Sequence, residues 1–292
     1  MNRSTQANSR WDIGRRVLDC RCGRHGVGPL VMGILNVTPD SFSDGGAHWQ
    51  LADAVSAVVA MQDAGADIID IGGESTRPYS EVVTADEELR RVIPVIERLR
   101  GRIHVPISID TSKAHVAQAA IDAGAEIIND ITGLTGDAQM ATVAANSAVG
   151  VCVMHIQGTP QTMQDAPHYE DVVEEVAAFL LQRLQWCEQQ GISRERICLD
   201  PGVGFGKTHE HNLQLIRHAG RFVKLGRPVL IGHSRKGFIG KVLGDKVCDR
   251  DAGTLGISLA MATLGIGVLR VHNVRATVDA LRLFRASLPP SV

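Results

Sequence analysis

The run Pro106-Ile107-Ser108-Ile109-Asp110-Thr111-Ser112-Lys113 joins β-branched bulk to a carboxylate and then to side chains that suit a helix start. Val105, Ile107 and Ile109 read as a buried strand that stops on Asp110. Strand, acid and helix start make a βα corner. In parallel α/β folds these corners form the ligand site, so Asp110 stands where chemistry is usually placed. Taken alone, the corner also fits a plain helix cap, and the reading turns on whether other strands end the same way.

They do. Val31 to Leu35 ends at Asn36, and Asp67 to Ile71 runs into Gly72-Gly73-Glu74-Ser75-Thr76-Arg77-Pro78. Ala125 to Ile131 carries Asn129 and Asp130, Gly150 to Met154 ends on His155, and Arg196 to Leu199 ends on Asp200. Pro228 to Ile231 leads into Gly232-His233-Ser234-Arg235-Lys236-Gly237, and Gly267 to Val271 carries Arg270 and ends on His272. Between the strands lie helical spacings, such as Leu51, Val55, Val58, Val59 and Met61, and runs at Thr84 to Arg100, Ala114 to Ala123 and Tyr169 to Gln190. Eight strand-then-helix units predict a (β/α)8 TIM barrel as one α/β domain over residues 29–288, with residues 1–28 as an N-terminal tail and irregular lead-in. A doubly wound sheet is the alternative; it calls for a glycine fingerprint after the first strand, which is absent.

Composition narrows the function classes. The chain has 292 residues, 44% hydrophobic and 21% charged, with 30 basic against 32 acidic residues and a net charge of −2. That near-neutrality offers no basic excess for a nucleic acid. No apolar run reaches the roughly 20 residues of a membrane span, and residues 1–16 lack a signal-peptide core, so a soluble, cytoplasmic protein is expected. Of the six cysteines only Cys20 and Cys22 are close together, with no zinc-site spacing, and free thiols are the better reading.

In a barrel the strand ends share one mouth. It would receive Asn36, Thr76, Arg77, Asp110, Asn129, His155, Asp200, Ser234, Lys236, Arg270 and His272, a polar convergence that caps do not explain. Cations cluster after the seventh and eighth strands, in Ser234-Arg235-Lys236-Gly237 with Arg270 and His272, where barrels often bind phosphate. Asp110, Asn129 and Asp200 suit a donor-rich planar heterocycle. The mouth therefore divides between a heterocycle and an anion such as pyrophosphate. Pro201-Gly202-Val203-Gly204-Phe205-Gly206-Lys207-Thr208 only imitates a nucleotide P-loop, because the first glycine of that pattern falls on Pro201. His209 and His211 read as a solvated helix start rather than metal ligands. The polar loop from Val37 to Gly46, with Phe42 at its middle, is a candidate lid.

The segments MGILNVTPDSFSDGG, GGESTRP, SIDTSK, IINDITG, MHIQGTPQTMQ, LDPGVGFGKT, IGHSRKGFIG and RVHNV, in this order, resemble the dihydropteroate synthase family of folate synthesis over roughly Pro29 to Phe284. The resemblance implies a TIM barrel, usually a homodimer. It also implies a Mg2+-dependent transferase that condenses 6-hydroxymethyl-7,8-dihydropterin pyrophosphate with 4-aminobenzoate to give 7,8-dihydropteroate and pyrophosphate, and that is a sulfonamide target. Carried over by motif, Asp110, Asn129, Met154, Asp200, Phe205 and Lys236 would bind the pterin. Asn36, Thr76, Arg77, Arg270 and His272 would take the pyrophosphate, with Asn36 reaching the metal. Pro39, Phe42 and Ser234 would meet the aminobenzoate, and the resemblance gives Asp40, Lys236, Arg270 and Asn36 the catalytic roles. Two neighbouring readings share the pterin contacts: a methyl transferase acting on a corrinoid protein, and a non-catalytic pterin-binding paralogue. The anion set favours the synthase. Tyr79-Ser80, His233 and Asn273 depart from the family pattern, and Tyr79 adds bulk on the aminobenzoate side.

Overall fold

The computed structural model describes residues 9–24, 26, 28–38, 47–76, 80–244 and 249–289; for residues 47–50 it gives backbone only. The barrel strands are β3 (Leu30–Asn36), β4 (Ile68–Gly72), β5 (Ile107–Asp110), β6 (Ile127–Asp130), β7 (Gly150–Met154), β8 (Ile197–Asp200), β9 (Leu230–Ile231) and β10 (Val268–Val271). All neighbouring pairs are parallel, in the order β8-β7-β6-β5-β4-β3-β10-β9. A parallel bridge between Leu199 and Val229 closes the ring. The expected (β/α)8 TIM barrel is therefore what the chain forms.

The period of two along each strand sorts the side chains. Val31, Ile69, Ile71, Ile107, Ile109, Ile128, Val151, Leu199 and Leu269 belong to the large core between the barrel wall and its helices. Met32, Ile68, Ile127, Cys152, Cys198, Leu230 and Val268 fill the barrel's lower interior. Further along the same strands come Asp70, Ser108, Asp110, Asn129, Asp200 and Arg270, a polar layer above the apolar plug.

The outer ring holds α1 (Ala47–Asp63), α2 (Ala85–Leu99), α3 (Ala114–Ala123), α4 (Met140–Asn146), α5 (Val172–Gln189), α6 (His209–Arg217), α7 (Gly220–Val223), α8 (Gly237–Leu243), α9 (Asp251–Thr263) and α10 (Val274–Ser287). Their starts follow local chemistry. Thr84 caps α2 through Glu87 N–H, with Asp86, Glu87 and Glu88 in the first turn, where acids favour the helix dipole. Asp171 caps α5 on two N–H groups, so that helix begins later than the spacing from Tyr169 suggests. Asp110 is no cap: α3 starts four residues further on, and Asp137 receives the Ala114 N–H at 2.9 Å.

The lead-in carries more structure than its composition suggests. β1 (Arg10–Asp12) and β2 (Val17–Asp19) form an antiparallel hairpin, and Trp11, Ile13 and Cys20 join the lower barrel plug. Trp11 Nε1 donates to Arg196 O at 2.8 Å, and Arg16 pairs with Glu126. Short polar strands whose apolar partners lie far away in the sequence leave little local pattern to read. Cys20, Cys22, Cys152, Cys187 and Cys198 are free thiols, and no described helix is long and apolar enough to cross a membrane.

Candidate functional site at the barrel mouth

A cavity of about 1340 Å³ opens at the C-terminal ends of the strands. Asn36, Thr76, Ser234, Lys236, Arg270 and His272 line it, as the strand-end reading predicts. Asp110 and Asp200 end their strands and Asn129 stands one residue before the end of its own, all three buried, Asn129 level with Asp110 and Asp200 level with Met154. Pro39, Asp40, Phe42, Arg77 and Tyr79 lie outside the described residues.

At the centre Arg270 forks between two strands. Its Nε donates to Asp70 Oδ2 and one Nη to Asp110 Oδ2, both at 2.6 Å. Asn129 Nδ2 donates to the same Asp70 oxygen at 3.1 Å. Sequence reasoning missed Asp70, although a carboxylate inside the apolar run Ile68-Ile69-Asp70-Ile71 was the available signal. Three carboxyls, Asp70, Asp110 and Asp200, thus share two cations, Arg270 and Lys236. Burial is the main force on each titrating neighbour: it raises Asp200 to about 6 and lowers Lys236 to about 8. Burial also holds the Asp110 carboxyl above its ordinary range, with Arg270 opposing and Asp70 adding to the rise.

The apolar wall is built by Ile131, Met154, Met163 and Phe205. Lys236 Nζ sits 4.1 Å from the Phe205 ring centroid, a cation–π contact that holds the amine over the ring. Gly204 lets that contact form: its φ is +86° and a Cβ there would come within 2.8 Å of Lys236 Cδ. Asp200 Oδ1 receives the Gly202 N–H at 2.7 Å, which folds the loop back across its own strand end.

On the cation side, Ser234 Oγ lies 3.0 Å from His272 Nδ1 and accepts the His272 backbone N–H at 3.2 Å. The two contacts hold the imidazole of His272 against the Ser234 hydroxyl. His233, fully buried, bonds Thr254 O and Ser258 Oγ and so pins this loop to α9.

Two residues expected at the mouth are otherwise engaged, His155 away from the cavity and Arg235 on its rim. His155 is buried against Phe179 and takes Lys207 Nζ on Nδ1 at 2.9 Å, so it serves the loop rather than the cavity. Arg235, with φ +57°, spends its guanidinium on both oxygens of Asp251 at 2.7 and 3.0 Å, which removes it from the free anion set. His211 completes a capping box with Thr208 at the start of α6, as the helix-start reading has it.

The comparisons with known proteins agree with this geometry. A family model described as Pterin binding enzyme matches residues 32–272. The chain belongs to the pterin-binding enzyme family. Within that family it is 48% identical over 260 residues to the dihydropteroate synthase of Escherichia coli K12, covering 89% of this chain and 92% of that one. It is 47% identical to the Haemophilus influenzae dihydropteroate synthase, covering 89% and 94%. A structure of Xanthomonas albilineans dihydropteroate synthase with 4-aminobenzoic acid superposes with a TM-score of 0.87 at 45% identity, over 97% of this chain and 100% of that one.

Proposed function

We propose that the protein is a dihydropteroate synthase, a transferase that joins 6-hydroxymethyl-7,8-dihydropterin pyrophosphate to 4-aminobenzoate and releases pyrophosphate. The observation that carries this reading is the division of one mouth. Buried Asp110 takes an Nη of Arg270, Asn129 shares Asp70 with the same guanidinium, and Asp200 feels the charges of Lys236 and Arg270, beside a cavity lined by Lys236, Arg270 and His272, in a chain nearly half identical to relatives of that name. Solved relatives bound to 4-aminobenzoic acid and to 7,8-dihydropteroate add weight.

In this reading Asp110, Asn129 and Asp200 pair with the donor edge of the pterin, Lys236 meets its acceptor side, and Met154 and Phe205 hold the ring between apolar surfaces. The pterin N–H groups replace one Arg270 contact on Asp110, which turns that Nη toward the pyrophosphate while Nε stays on Asp70. Asn36, Thr76, Arg77 and His272 complete the pyrophosphate site. Ser234, Pro39 and Phe42 receive the aminobenzoate.

The C–O bond to pyrophosphate breaks first and its electron pair leaves with the phosphate. The arylamine lone pair then forms the C–N bond and the nitrogen loses a proton. Arg270 and His272 neutralise the departing charge, Asp40 stabilises the positive methylene, and the first loop keeps water from capturing it. Magnesium suits Asn36, whose hard amide oxygen at a strand end can share the ion with phosphate oxygens and water. When bound, it supplies further charge stabilisation to the leaving group. By the same resemblance the protein acts in the cytoplasm as a homodimer.

Initial-rate kinetics test the reading. Dihydropteroate formation should saturate in both substrates, and Asp200→Asn should lower kcat/KM for the pterin by roughly 100-fold. Pterin binding without any product would overturn it in favour of a non-catalytic pterin binder.

A further inference from the structure

We propose that Asp70 is the positioning residue of this site: one of its oxygens sets both the guanidinium of Arg270 and the amide of Asn129 in the orientations that meet the pterin substrate. The inference rests on the pterin reading above. Asp70 is 0% exposed, so it acts through its neighbours and not on the substrate.

The geometry is unusual for a buried carboxylate. Oδ2 collects two donors from two other strands, Arg270 Nε at 2.6 Å and Asn129 Nδ2 at 3.1 Å, while Oδ1 has no hydrogen-bond partner among the described residues. A carboxylate in an apolar strand is costly unless paired, so its place in β4 calls for a role that a leucine would not fill. Arg270 is planar and directional. With Nε on Asp70 and one Nη on Asp110, its plane is fixed by two acceptors on two strands; without Asp70 it would pivot about a single contact.

Asn129 is constrained in a second way. An amide carries two N–H donors and one acceptor. Tying one N–H to Asp70 leaves the other N–H and the carbonyl for a ligand, in one fixed order. The flipped amide would set its oxygen against the carboxylate oxygen, which electrostatics opposes. Asp70 therefore decides which edge of a heterocycle the site reads.

The test is Asp70→Asn, which keeps the volume and removes the charge. Calorimetry with the pterin pyrophosphate should give an affinity about 10- to 100-fold weaker than wild type, with the KM for 4-aminobenzoate changed less than about twofold. Combined with Asn129→Ala, the loss should be smaller than the product of the single losses, because both act through one contact. Wild-type affinity in Asp70→Asn, or losses that simply multiply, would overturn the inference. Since binding is read without turnover, a chain that binds pterin but makes no product fails the synthase reading and still tests Asp70. Should Asp70→Asn not fold, amide exchange in wild type decides: one Asn129 side-chain proton, assigned by its loss in Asn129→Ala, must be protected. Equal fast exchange of both protons would refute the role.

Discussion

Lys207 and His155 form a buried amine–imidazole contact, Lys207 Nζ to His155 Nδ1 at 2.9 Å, with Lys207 only 2% exposed. The amine also donates to Phe205 O at 2.8 Å and His155 O at 3.4 Å, so one side chain ties the loop after β8 to the end of β7. Burial, with Lys207 beside it, lowers His155 to about 3, which keeps the imidazole a neutral acceptor. Removing the amine leaves a buried cavity and two carbonyls short of a donor. Lys207→Ala should therefore cost about 2–4 kcal/mol in chemical denaturation and raise the pterin KM through the loosened Phe205.

The same lysine gives a pH signature. Burial brings its folded value from 10.5 down to about 7. The unfolded chain then binds this proton more tightly than the folded one, so this contribution to stability grows as pH rises from about 7 toward 10.5 and is smallest below 7. Lys207→Met should flatten the stability profile over that window relative to wild type, measured as urea midpoints. Parallel slopes would reject the assignment.

Pterin binding should be bell-shaped in pH. Asp200, raised to about 6, and Asp110, also held above its ordinary range, must ionise to accept N–H groups, and Lys236, lowered to about 8, must keep its proton. Affinity is expected to climb through pH 6 and fall beyond pH 8. Lys236→Arg should abolish the alkaline limb, since guanidinium does not titrate there. An alkaline limb that survives the substitution would assign it to another group.

Asp251 links two loops, taking Arg235 on both oxygens and Asn273 Nδ2 at 2.9 Å. The Arg235 hydrogen bonds hold its carboxyl down at about 2. A depressed acid stabilises above its ordinary value of 3.8 and loses that contribution as pH falls toward 2. Asp251→Ala should cost about 1 kcal/mol, the ion pair being partly exposed, and should weaken pyrophosphate-bearing ligands by freeing the Ser234–Lys236 loop. Isothermal titration with the pterin pyrophosphate checks the second effect.

Much of this architecture is legible in the sequence because strand ends carry their own signal. Apolar runs that stop on Asn36, Asp110, Asn129 and Asp200 announce both the strands and the mouth. What is less legible depends on contacts between distant segments. Asp70 is hidden within a strand, Arg235 is claimed by Asp251 sixteen positions on, and His155 turns to a lysine whose motif imitates a P-loop. The N-terminal hairpin has the same character, since Trp11 finds Arg196 across 185 positions. No periodicity records such pairings.

The central claim is tested most directly by counting products in one reaction. With the pterin pyrophosphate, 4-aminobenzoate and magnesium, wild type should release one pyrophosphate per dihydropteroate formed, and Lys236→Ala should slow both together by roughly 100-fold or more. Pterin bound without dihydropteroate, or a rate untouched by Lys236→Ala, would contradict the account.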